Sequence, residues 1–140
     1  MIDRIEYEGK VLALIVRLRV VLEGVNFFTS AENSLQLGVL RHKQGFRVKA
    51  HIHRRSVKTI EDVQEVLHVE YGRVETEFYN DSGTRIGATI LNTGDTILQI
   101  SGGHRFNMLE DSQMIEVKQG PYRGVEEDKQ IVEVNNDTSL

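Results

Sequence analysis

The residues with the most chemical potential lie in one stretch, Gly45-Phe46-Arg47-Val48-Lys49-Ala50-His51-Ile52-His53. Two histidines spaced by one residue share a side of a β-strand, because side chains alternate between its faces. A second strand-like run opens at Glu65 and closes at Tyr71-Gly72. Pairing of the two runs brings the Glu65 carboxylate beside the imidazoles of His51 and His53. Two imidazoles and a carboxylate suit one divalent cation with coordination positions left open. The chain has no cysteine, so a thiolate ligand, a thiol nucleophile and a disulfide framework are all excluded.

The same alternation places Arg47 and Lys49 on the histidine side and Phe46, Val48, Ala50 and Ile52 on the other. Lys49 and Arg47 are candidates to pair a substrate carboxylate or phosphate. Tyr71 and Tyr79 are candidate phenols for such a cavity, and Phe106 a candidate wall. The plain alternative for each is a solvated basic face or ordinary packing. His68 lies at an odd offset from Glu65, so it points to the opposite face and reads as structural. His42, beside Lys43 in a turn, reads as solvated. No Ser-His-Asp order, Walker loop or zinc-finger spacing is present.

Charge is unevenly distributed. The net charge is -4, yet no acidic residue occurs between Asn33 and Ile60, where seven of the seventeen basic residues fall. From Glu126 onward the balance is acidic. A basic mouth steers small anionic molecules. Nucleic acid is not expected as a partner, because the overall charge is negative and the basic segment is nearly free of aromatics for stacking.

These candidates must be held by strands. Val11 to Val16, the longest apolar run, is too short to cross a bilayer, and the acidic first ten residues do not resemble a secretory signal. A cytoplasmic protein without a membrane partner is expected. The 140 residues, 39% apolar and 27% charged, suit one domain over 1–140 with no linker. Met1 to Arg19 reads as strand, with a short helix over Val11 to Leu22 as the competing reading. Further strands are expected at Leu35 to Leu40, Phe46 to His53, Glu65 to Glu70, Arg73 to Asn80, Ile86 to Leu91, Thr96 to Ile100, His104 to Leu109 and Gln113 to Lys118. Asp81-Ser82-Gly83 and Asn92-Thr93-Gly94-Asp95 are turn signals. Arg54 to Gln64 reads as an exposed excursion, and the tail over 121–140, ending Asn135 to Leu140, as loosely held. Short strands at this spacing predict an all-β, antiparallel sandwich or barrel. The apolar row from Phe46 to Ile52 and open sheet edges predict a homodimer.

The spacing resembles the cupins, small jelly-roll β-barrels. Their first motif has Gly, five residues, His-x-His, a short spacer, Glu, six residues and Gly. Gly45, His51, His53, Glu65 and Gly72 match it, with a longer spacer over Arg54 to Gln64 that leaves Glu61 and Gln64 as alternatives to Glu65. The second motif is approached by Gly94-Asp95 and Ser101-Gly102-Gly103-His104, with Ile100 where the motif has proline. The resemblance covers about 35–118. It implies an antiparallel jelly-roll β-barrel and a divalent transition metal (Fe, Mn, Ni or Zn) held by His51, His53, Glu65 and His104. It also implies isomerase or dioxygenase chemistry on a small sugar or keto acid. The closing Met114 to Tyr122 segment is similar to small bacterial cupins of surface-polysaccharide or nucleotide-sugar pathways. The alternatives are a metal-free epimerase-like cupin with a histidine base and tyrosine acid, and a non-catalytic ligand sensor.

Overall fold

A computed structural model describes residues 2–133. Its regular elements are almost all strands: β1 (Ile2–Tyr7), β2 (Lys10–Val16), β3 (Gly24–Phe27), β4 (Gly38–Arg41), β5 (Glu65–Tyr71), β6 (Arg73–Tyr79), β7 (Arg85–Asn92), β8 (Thr96–Gln99), β9 (Gly103–Met108) and β10 (Gln113–Lys118). A single helical turn, α1 (Val125–Asp128), follows. The helix weighed at Val11 to Leu22 does not form, because Lys10 to Val16 pairs on both sides, with β1 and with β8. No helix among the described residues is long and apolar enough to cross a membrane.

Three antiparallel sheets result. One has the strand order β1-β2-β8-β5-β10, a second β7-β6-β9, and β3 pairs with β4 alone. Core residues come from the two larger sheets together. Ala13 and Ile15 on β2, Leu67 and Val69 on β5 and Ile97 on β8 cluster with Val74 and Phe78 on β6 and Leu91 on β7. Two sheets sharing one apolar interior are the layered solution available to strands with one apolar face each. Burial alternates accordingly: in β5, Leu67 and Val69 are buried while Val66 and His68 are only partly so.

Glycine makes one corner possible. Gly72, between β5 and β6, has φ 98°, and a Cβ there would sit 2.1 Å from Ser112 Oγ and 2.7 Å from the Asp111 carbonyl oxygen. Only glycine fits both the left-handed backbone and the close approach. At another corner, Arg17 donates to Asp3 and Asp95 and to the Ile90 carbonyl oxygen, tying β2 to the β7–β8 turn. The Asp95 carboxylate also accepts the Leu18 and Asn92 backbone N–H groups.

One expectation is corrected. The strand expected over Phe46 to His53 is absent: residues 46–60 have no regular secondary structure. An alternating sequence becomes a strand only beside another strand, and none lies alongside this one. Ile52 and Val57 are consequently 94% and 97% exposed. The described part of the tail touches the strands. Lys118 Nζ lies 3.1 Å from Asp128 and above the Tyr122 ring, and Val132 lies against Gly83 and Gly103. Asn135 to Leu140, the end of the expected loose tail, falls outside the described residues.

Candidate functional site

Glu65 opens β5 and shares its parity with Leu67 and Val69, so its side chain lies on the core face. His104, the second residue of β9, stands opposite Phe78 of β6, while Phe106, two residues on, packs against the core. The two sheets therefore present Glu65 and His104 to the same interior. His104 Nε2 lies 3.2 Å from Glu65 Oε2, with side chains 26% and 10% exposed respectively.

The surroundings are polar and only partly satisfied. Gln99 of β8 stands directly opposite Glu65, and Lys118 of β10 flanks it from the other side. Lys118 Nζ is 3.9 Å from Glu65 Oε1. The hydrogen bond from His104 lowers the pKa of the Glu65 carboxyl; burial opposes the shift, and the charges of His104, Lys118 and Lys129 reinforce it. Gln99 is 4% exposed, and its Nε2 has no hydrogen-bond partner among the described residues; Thr76 Oγ1 on the core face of β6 is likewise unpartnered. A buried donor without an acceptor costs about 1–3 kcal/mol, so a bound water or ligand oxygen at Gln99 would stabilise the structure.

The remaining candidates are dispersed. His51 and His53 lie in the exposed segment, rings edge to face at 5.1 Å, and His51 Nδ1 donates to the Lys49 carbonyl oxygen at 2.8 Å. Arg47 and Lys49 are exposed in the same segment. Tyr71 is half exposed at the far end of β5, six residues from Glu65, which is roughly 20 Å along a strand. Among the described residues, no three His, Asp or Glu side chains converge closely enough to hold a metal ion. Glu65 and His104 are thus brought together; His51, His53, Arg47, Lys49 and Tyr71 are not brought to them.

The alternatives to Glu65 fare differently. Gln64 Oε1 already accepts from Asn33 Nδ2 and the Leu35 N–H, while its own backbone N–H donates to Gln119, so it serves as a buried tie between three segments. Glu61 lines an open groove of about 420 Å³ with Glu32, Asp62, Lys10, Gln64 and Ile100 among its walls. Three carboxylates against one ammonium give this groove the wrong sign for an anionic molecule. His68, as its parity implies, turns away from Glu65 and meets Thr96 Oγ1 at 2.9 Å.

Sequence reasoning missed a second buried carboxylate. Glu77 and Tyr79 lie on the face of β6 opposite Phe78, and the Tyr79 hydroxyl donates to Glu77. Arg105 Nε at 2.6 Å and Arg85 Nε at 3.3 Å flank the same carboxylate. The alternation Glu75, Glu77, Tyr79 against Val74, Thr76, Phe78 was the available signal. Lys118 was missed because only the β5–β10 register brings it beside Glu65. Compared with protein-family models, curated proteins and solved structures, the chain matches none.

Proposed function

We propose that the chain is a jelly-roll cupin that binds a small anionic molecule, a sugar or keto acid, beside a divalent transition metal. Glu65 and His104 would hold the metal, with His51 and His53 as the further ligands. The observation that supports this reading is the meeting of Glu65 and His104, from different sheets, in a partly buried position. Carboxylate and imidazole are the right donors for Fe, Mn, Ni or Zn. When bound, such a metal polarises a carbonyl or activates dioxygen, the chemistry of an isomerase or a dioxygenase. Of the chain's own groups, Lys118 holds the Glu65 carboxylate from one side, Gln99 Nε2 offers a free donor to a ligand oxygen, and Arg47 and Lys49 supply positive charge on the histidine segment.

The experiment is elemental analysis of protein purified without added metal, followed by titration with Zn and Mn, on wild type and on His104→Ala and Glu65→Gln. Stoichiometric metal in wild type and its loss in both variants is expected. Stoichiometric metal retained by both variants, or none in wild type under any titration, overturns the reading.

A metal-free reading has its own support. Lys118 already places a cation 3.9 Å from Glu65, and a histidine oriented by a buried carboxylate is a general-base pair. Here His104 would take a proton and Glu65 would fix its orientation. The tyrosine acid of an epimerase-like site would not be Tyr79, which lies on the other face of β6 bound to Glu77. Catalysis or ligand binding that depends on His104 in metal-free protein would favour this alternative.

A further inference from the structure

The segment carrying His51 and His53 has the sequence of a strand and no strand to pair with. Phe46, Val48 and Ile52 alternate with Arg47, Lys49 and the histidines, and all three are more than half exposed. None of the backbone hydrogen bonds outside the strands involves residues 47–63. The β9 edge, which carries His104, is unpaired on its outer side.

Folding back onto its own body is disfavoured. From Phe46 to Glu61 there is no Gly, Pro, Asn or Asp, the residues that reverse a chain tightly, and Arg54, Arg55 and Lys58 repel one another across any such bend. The acidic groove beside Gln64 is partly built from the root of this same segment, Thr59 to Asp62. Reaching it in cis would require the segment to reverse within the five residues Arg54 to Lys58.

A second copy meets none of these obstacles. Residues 46–60 hold five of the seventeen basic residues and no acid, which leaves twelve basic residues against twenty-one acidic ones on the remainder of the chain. The body is therefore the complementary partner in sign, whereas nucleic acid or an anionic membrane would be repelled by it. The groove edged by Glu32, Glu61 and Asp62 opens at Gln64 and Ile100, the chain neighbours of Glu65 and Gln99.

We infer that two copies of the chain exchange residues 46–53, each arm lying on the body of the other and bringing His51 and His53 to the partner copy's Glu65–His104 pair. The role given to the histidines rests on the proposed metal site; the exchange itself does not. Exchange of equivalent arms closes a two-fold dimer with two shared sites.

The absence of cysteine allows a clean test. In the double variant Ile52→Cys/Glu32→Cys, both positions are exposed, so folding is preserved. Oxidation is expected to give disulfide-linked dimers on a denaturing gel. An intrachain loop, or no cross-link between the two positions, overturns the exchange whatever the metal content. Co-expression supplies the second measurement. His104→Ala keeps the arm and His51→Ala/His53→Ala keeps the body, so each alone binds no metal. Statistical pairing in the mixture restores about one metal per four chains if the sites are shared. No restoration, with wild type fully loaded, overturns the sharing. Cross-linked dimers of the cysteine variant, together with a wild type that binds no metal, retain the exchange and remove the metal reading.

Discussion

Glu65 on β5 and His104 on β9 meet at 3.2 Å across the interior of two different sheets. The pairing gives a pH dependence whose sign follows from the lowered Glu65 pKa. A carboxyl that ionises more readily folded than unfolded adds stability above its unfolded pKa, and this is lost as pH falls through the folded value. Wild type is therefore expected to lose stability more steeply than Glu65→Gln below about pH 4, the ordinary glutamate range. At neutral pH, Glu65→Gln costs about 1–3 kcal/mol by weakening the partners' hydrogen bonds. Urea unfolding at a series of pH values checks both; parallel curves would remove the pair from the stability of the fold.

The buried Glu77–Tyr79 pair predicts a late phenol. Burial pushes the Tyr79 pKa up, and the hydrogen bond to Glu77 and its negative charge push it further, outweighing Arg105 and Arg85. One of the four tyrosines should ionise after the others in an alkaline absorbance titration. Tyr79→Phe should abolish that late step at a cost of about 0.5–1.5 kcal/mol, the worth of one hydrogen bond. A late step that persists in Tyr79→Phe assigns it to another tyrosine and refutes the prediction.

Much of this fold was readable because β5 to β10 are bounded by residues with strong local meaning. Gly72, the Asp81-Ser82-Gly83 turn and the Asn92 to Asp95 turn all mark corners that form. The arm was misread for a physical reason. Alternation at Phe46 to His53 specifies what a strand's two faces would be, and is silent on whether a sheet edge stands beside it. Glu65 and His104 could be named as a pair only through motif spacing, since their meeting depends on how two sheets stack. Lys118 had no motif at all; its place beside Glu65 comes from the register of β10 against β5.

Arg17 and Asp95 predict a stability defect far from the candidate site. The Asp95 side chain is 5% exposed and accepts from Arg17 at 2.8 Å, while the Arg17 side chain is 24% exposed. Removing one partner of a fully buried pair costs about 3–5 kcal/mol. Water access at Arg17 and the two backbone N–H groups on Asp95 reduce this, so Arg17→Ala is expected to cost about 2 kcal/mol. Chemical denaturation measures it, and a change within about 0.5 kcal/mol, the range of an ordinary surface substitution, would show that the pair is not structural.

Gly72→Ala tests the corner that sets β5 against β6. The substitution meets two independent obstacles, a left-handed φ of 98° and a Cβ position 2.1 Å from Ser112 Oγ and 2.7 Å from the Asp111 carbonyl oxygen. Backbone strain alone costs about 1–2 kcal/mol. Ser112 can turn aside, but the carbonyl belongs to the backbone leading into β10 and moves only with that strand. Because β10 carries Lys118 to Glu65, the displacement reaches the candidate site along two strands. Gly72→Ala is therefore expected to lose more than about 2 kcal/mol, and Gly72→Ala/Ser112→Gly to recover only the side-chain part of that loss. Full recovery in the double variant would mean that the hydroxyl, and neither the backbone angle nor the carbonyl, makes glycine necessary here.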